Sequence, residues 1–245
     1  MRVALLCDVD QTLYHVGDEA IGLASTRALR SRGLDVVTLS RHEKYGPAGT
    51  PPEPSIDALV FPWPIEDRRR YLGEIRRVIA GDEDALPAED KVFRIRERLA
   101  EVDGLVIGGG GALNSTYGWL LYERLATALL VRAAGKPVVL TGQSLGPVLD
   151  AWDRAVLREL LEISDLVGVR DSDSLRLARS LCPEHPALVR TADDATILDL
   201  APASPQADRI AVTLGASPGP HSPVAYVERT AALLDALAAH TGAEV

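Results

Sequence analysis

The residues best suited to chemistry stand where short apolar runs stop. Leu105-Val106-Ile107 runs into four consecutive glycines, Gly108, Gly109, Gly110 and Gly111. Val138-Val139-Leu140 runs into Gly142-Gln143-Ser144-Leu145-Gly146-Pro147. Glycines at a strand end let a ligand approach the backbone, and a helix after them offers free amides and the positive end of its dipole. The glycine run therefore suits a phosphate or carboxylate, or else it only permits a tight turn and close helix packing. Neither the dinucleotide nor the P-loop spacing is matched. The second element adds a side-chain amide and a hydroxyl; Gly142 to Gly146 have the Gly-x-Ser-x-Gly frame, but Ser144 lacks the strand-to-helix turn of the usual length that makes a nucleophile elbow. Arg170 ends a third apolar run, Leu166 to Val169. An arginine so placed suits bidentate recognition of a carboxylate or phosphate. The alternative is an ion pair with Asp171, Asp173 or Asp193, and Asp171 is typed to cap the helix that follows.

A competing signal lies near the start. Asp8-Val9-Asp10-Gln11-Thr12-Leu13 follows an apolar run and fits the opening motif of haloacid-dehalogenase-type phosphatases. There the first aspartate would be a nucleophile and the second a general acid-base, with Mg²⁺ neutralising charge. Thr38 or Ser40, Lys136 and Asp193 or Asp194 would have to fill the remaining roles, and the glycine elements and Arg170 have no task in that scheme.

These residues need strands and helices to bring them together. Apolar run, glycines, a long apolar-periodic helix from about Tyr117 to Ala134, apolar run and glycines again is the form of a βαβ unit. Its two glycine elements then lie at the carboxyl ends of neighbouring parallel strands, where open α/β sheets bind ligands. Before it, Arg2 to Cys7 and Leu34 to Leu39 read as strands. They flank a helix opened by Gly17-Asp18-Glu19-Ala20, with Asp18 typed as its N-cap. Residues 41–64, rich in Pro and Gly, read as a surface excursion. Helices follow at Glu66–Ala80 and Glu89–Glu101. The arginines of the first (Arg68, Arg69, Arg70, Arg76, Arg77) read as a solvated face paired with nearby acids rather than an anion-binding face. After the central unit come a helix over Asp150–Ile163, the Leu166–Val169 strand, a helix to Leu181 and a strand near Ala187–Arg190. Residues 199–208 form a linker, and Arg209–Leu214 and Val224–His240 give one more strand and helix, too little for an independent core.

Composition narrows the function classes. A formal charge of −9 argues against a broad nucleic-acid or anionic-membrane surface. Cys7 and Cys182 make neither a metal pattern nor a disulfide framework. No apolar run approaches a membrane span and no signal peptide is read, so the expectation is a cytoplasmic protein.

Taken together, Gly17-Asp18-Glu19-Ala20-Ile21, Asp103 to Gly111, Gly142 to Pro147 and Val169-Arg170-Asp171-Ser172-Asp173-Ser174 resemble the polysaccharide pyruvyl transferase family, with Asp193-Asp194-Ala195 similar to its later acidic element. The resemblance covers about residues 1–200. It implies an α/β fold, a Rossmann-like parallel sheet with flanking helices that forms the first half of a GT-B-like architecture. The domains would be 1–200, a linker at 201–208, and at 209–245 an incomplete second domain or a docked strand and helix. It also implies transfer of a pyruvyl group from phosphoenolpyruvate to a sugar, usually as a cyclic ketal, with no separate cofactor and no metal. Arg170, Asp18 and Asp193 are the expected catalytic residues. Gly17, Gly108 to Gly111, Gln143, Ser144, Gly146 and Ser174 are the expected substrate-binding ones. A non-catalytic relative, binding a ligand or partner through the sheet edge, and a homo-oligomer are left open.

Overall fold

Short apolar runs buried on both faces pair in parallel, and among the described residues these runs do so. The computed structural model describes residues 1–9, 15–41, 55–199 and 222–242. Its strands are β1 (Arg2–Leu6), β2 (Asp35–Ser40), β3 (Ser55–Asp57), β4 (Gly104–Ile107), β5 (Gly110–Leu113), β6 (Val138–Leu145), β7 (Leu166–Val169) and β8 (Leu188–Arg190). Its helices are α1 (Val16–Arg30), α2 (Ile65–Ile79), α3 (Lys91–Leu99), α4 (Trp119–Ala133), α5 (Ala151–Glu162), α6 (Ser172–Leu181) and α7 (Pro223–Thr241). The sheet order is β3-β2-β1-β4-β6-β7-β8, with β5 paired to β6, and every pairing is parallel. This is the α/β, Rossmann-like arrangement expected from the sequence.

The order of strands decides where a ligand can sit. From β1 the chain steps outward to β2 and β3, then returns to β4 on the other flank. The carboxyl ends of β1 and β4 therefore border a topological switch point, the usual ligand crevice of open parallel sheets. Leu6 and Ile107 pair in register at those ends. The residues just beyond them, Cys7 to Val9 and Gly108 to Gly111, stand at that switch point.

The two sheet faces are covered unequally. Ala4, Leu6, Val37, Leu39, Leu105, Ile107 and Leu140 pack with buried side chains of α2 to α6, such as Leu72, Ile75, Ile95, Leu125 and Leu157. Val3, Leu5, Cys7 and Val36 meet Ile21 of α1 and, at the edge, Ala195. Fully burying one such aliphatic side chain contributes roughly 1.5–3 kcal/mol.

Three local expectations need correction. The glycine run is not all loop: Gly110 to Leu113 form β5, and α4 then starts at Trp119, close to the Tyr117 expected. Gly142 to Leu145 are not a turn but the outer half of β6, which continues past a register shift between Leu140 and Gln143. Asp18 is not the N-cap of α1; that position is His15, and Asp18 lies inside the first turn. In each case pairing with a neighbouring strand, or an earlier helix start, won over the local signal.

The chain divides into two compact units, Met1–Leu198 and Asp199–Val245. Within the second, Ser222 caps α7 by accepting from the Ala225 amide, and Gly242 ends it in the left-handed conformation. Most of the expected linker, the expected strand Arg209–Leu214 and His221 lie outside the described residues. Among the described residues no helix is long and apolar enough to cross a membrane.

Candidate active site

Three side-chain clusters occupy the carboxyl edge of the sheet. The first is centred on Arg170, placed by the end of β7 and by its own amide, which donates to the Gln143 carbonyl at 3.0 Å. Its Nε donates to Ser144 Oγ at 2.7 Å and its Nη1 donates to Asp193 Oδ2. Arg170 and Asp193 are about one-third exposed, so this pair faces solvent. Among the described residues Nη2 has no hydrogen-bond partner, and a methyl on Gly111 would lie 3.8 Å from it. Of the two expectations for Arg170, the ion pair with Asp193 is formed, and one amine still faces the glycine run.

Asp171 steadies this cluster from behind. It caps α6 through the Ser174 amide at 2.7 Å and accepts from the hydroxyls of Ser144 (2.8 Å) and Ser174 (2.9 Å). Slight burial pushes its carboxyl up, but the bonds from Ser174 and Ser144 and the charge of Arg170 outweigh this and hold it below the ordinary range. Ser174 is itself buried, and its Oγ accepts from the Leu145 amide. Ser174 thus ties α6 to β6. Gln143, also buried, donates from its side-chain amide to the carbonyls of Ile107, Gly108 and Thr141. Its amide pins the glycine run to β6.

The second cluster fills the glycine run with a carboxylate from the chain itself. Asp194 Oδ2 accepts from the Gly109 amide at 2.9 Å and from Thr141 Oγ1 at 2.5 Å. Asp194 opens the 3-10 turn Asp194–Ile197, which packs against α1. The approach explains one glycine: Gly142 has φ +51°, and a Cβ there would fall 2.5 Å from Asp194 Oδ1. Gly108 is required by a different contact, since its Cβ would fall 2.2 Å from Cys7 Sγ. The anion that the glycine run suits is therefore supplied, at Gly109, by Asp194.

The third cluster lies at the ends of β1 and β2. Arg124 Nη2 donates to Asp8 Oδ2 at 2.6 Å and its Nη1 to Glu123 Oε2 at 2.7 Å. Arg41 Nη2 bridges Glu123 Oε2 at 2.5 Å and Asp8 Oδ1 at 3.3 Å. All four side chains are at most 8% exposed. Burial pushes the Asp8 carboxyl up, but the guanidinium groups of Arg124 and Arg41 pull it below the ordinary range. Burial wins at Glu123, whose carboxyl is raised despite the same two arginines. Half-buried Asp18 is raised as well, by burial and then by the negative charge of Asp8. Gly17 stands exposed at the start of the same helix, with open space where a side chain would be.

This geometry disfavours the phosphatase arrangement. Asp8 is held by two buried guanidinium groups, and Lys136 bonds the carbonyls of Leu99 and Ala100 just before β6, at the opposite edge of the sheet. Asp10 lies outside the described residues. Sequence reasoning missed Arg41, Glu123, Arg124 and the role of Asp194. The signal for Glu123-Arg124 was available: two adjacent charges inside an otherwise apolar helix must be paired when that helix is buried.

A family model described as polysaccharide pyruvyl transferase matches residues 15–244. Among curated proteins none matches the chain.

Proposed function

The chain belongs to the polysaccharide pyruvyl transferase family, and from that premise we propose that it transfers a pyruvyl group from phosphoenolpyruvate to a saccharide, forming a ketal. The observation that supports this reading best is Arg170, whose Nη2 faces Gly111 at the carboxyl ends of β4, β6 and β7. The donor carries a phosphate and a carboxylate, and a guanidinium held by Ser144 and Asp193 is preorganised to receive one of them.

The reaction balances without an oxidant. A proton is added to the methylene carbon of the donor, leaving cationic character at the carbon that bears the phosphate. One sugar hydroxyl attacks that carbon and loses its proton. A second hydroxyl then forms the other C–O bond as the C–O bond to phosphate breaks, and its proton leaves with inorganic phosphate or solvent. Positioning and charge stabilisation carry such a step. Asp18 is the carboxyl suited to hold the first proton, because burial and then the negative charge of Asp8 push it above the ordinary carboxylate range. Asp193 orients Arg170 through their ion pair.

The test is direct. Phosphoenolpyruvate should raise the thermal midpoint of the chain, and Arg170→Ala should abolish that shift. Asp18→Asn should keep the shift while lowering phosphate release to a saccharide acceptor by about 10²-fold or more, the usual range for losing a general acid. A shift unchanged in Arg170→Ala would remove the donor from this edge of the sheet.

A further inference from the structure

All three tryptophans of the chain (Trp63, Trp119 and Trp152) stand at the starts of helices that follow strands, and hence along one edge of the sheet. Trp63 precedes α2, Trp119 opens α4 and Trp152 lies in the first turn of α5. Trp63 is 70% exposed, Tyr117 56% and Trp152 47%. Side chains tie these positions into one surface. Arg68 donates twice to the Trp63 carbonyl, at 3.1 and 2.9 Å, and a methyl on Gly118 would fall 2.7 Å from its Nη1. The guanidinium of Arg69, the next residue, lies 4.8 Å from the centroid of the Trp152 ring. The Ser115 amide donates to the Val148 carbonyl, and the Asp150 amide donates to Ser115 Oγ, joining the Tyr117 strand end to the start of α5.

The same surface is wired to the glycine run. Buried Asn114 donates to the Gly111 carbonyl at 2.6 Å, and its Oδ1 accepts from the amides of Thr116 and Tyr117. Residues 111–117 thus form one hydrogen-bonded segment, with Arg170 Nη2 near one end and the exposed Tyr117 at the other.

A protein with few aromatics has left two of its three tryptophans and Tyr117 exposed along this edge. Large exposed rings next to charged groups mark a binding surface rather than a core. Their flat apolar faces match the C–H faces of pyranose rings, while Arg69 and Asp150 supply a donor and an acceptor for hydroxyls. We propose that Trp63, Tyr117 and Trp152 form the platform on which the acceptor saccharide lies. This deepens the reading of the chain as a pyruvyl transferase and rests on it for the choice of a saccharide.

The experiment uses the full chain and an array of defined oligosaccharides of glucose, galactose, mannose and N-acetylhexosamines. Binding is read on the array and confirmed in solution by tryptophan emission, which reports only from this edge because all three tryptophans stand there. The expected result is binding to at least one glycan, weakened tenfold or more in Trp63→Ala/Trp152→Ala. That double variant should keep the thermal shift with phosphoenolpyruvate, and Arg170→Ala should keep glycan binding. Binding to no glycan, or binding unchanged in the double variant, would overturn the platform. So would a dimer of the wild-type chain that the double variant converts to monomer with no effect on any glycan. Loss of the phosphoenolpyruvate shift alone, with glycan binding intact, would instead remove the donor assignment and leave the platform standing.

Discussion

At the scale of single residues, the carboxyl edge is a set of close approaches and charge balances that spacing alone could not display. Gly108 illustrates the first kind. Gly108→Ala drives a methyl against Cys7 Sγ and should cost about 1–3 kcal/mol, the usual range for overpacking. Cys7→Ala removes the obstructing atom, so the double variant should recover at least about 1 kcal/mol relative to the sum of the single changes. Denaturant midpoints of the four proteins decide it; strict additivity would mean that the glycine serves something else. Asp8 illustrates the second kind. Asp8→Asn leaves Arg124 and Arg41 with Glu123 as their one remaining carboxylate partner among the described residues, and breaking a buried pair typically costs roughly 3–5 kcal/mol, here toward the lower end. The pH dependence has a definite sign. Burial alone would raise the Asp8 carboxyl, but the two arginines hold it below the ordinary range, so its stabilisation is full above about pH 4. It is lost as pH falls through the lower folded value. The stability gap between wild type and Asp8→Asn should therefore be widest at pH 7 and shrink as pH falls below about 4. A constant gap would show that the pair contributes packing rather than charge. The Arg170–Asp193 pair was legible in the sequence as one of the two readings of an arginine that ends an apolar run. The Asp8–Arg124 pair was not, because its members are 116 residues apart.

At the scale of elements, the caps do more than end helices. Asp171 caps α6 and also holds Ser144, which in turn accepts from Arg170. Asp90 is its structural counterpart, capping α3 and accepting from the Tyr71 hydroxyl, with no hydrogen bond to Arg170 or the glycine run among the described residues. Each alanine substitution should cost about 1–2 kcal/mol through the lost cap. Only Asp171→Ala should also weaken the response to phosphoenolpyruvate, by several-fold in the concentration that gives half the thermal shift. An equal effect from Asp90→Ala would reduce the Asp171 result to general destabilisation. Strand and helix positions were readable because period and punctuation are local: β7 and the helix caps at Asp150 and Asp171 fall where residue type places them. β5 and the outer half of β6 were not readable. Glycine-rich segments carry no apolar pattern, and their extended form comes from each other's backbone.

At the scale of the molecule, every residue assigned here to the donor lies in the unit Met1–Leu198, as does the whole of the larger apolar cluster. In the other unit the described helix α7 buries no residue and leaves Val224, Val227 and Leu233 exposed. A fragment of residues 1–198 retains all eight strands of the described sheet, both of its core layers and the three charged clusters. It should therefore unfold cooperatively and keep the thermal shift with phosphoenolpyruvate within about twofold of the full chain's half-saturating concentration. Turnover is a different matter, because the proposed ketal formation needs the acceptor held against the donor as well as the donor held in place. The fragment and the full chain should thus agree in donor binding even where they differ in phosphate release. A fragment that folds, by a cooperative denaturant transition, yet shows no shift would mean that residues 199–245 complete the donor seat. Arg170 would then be one half of an anion clamp rather than its anchor.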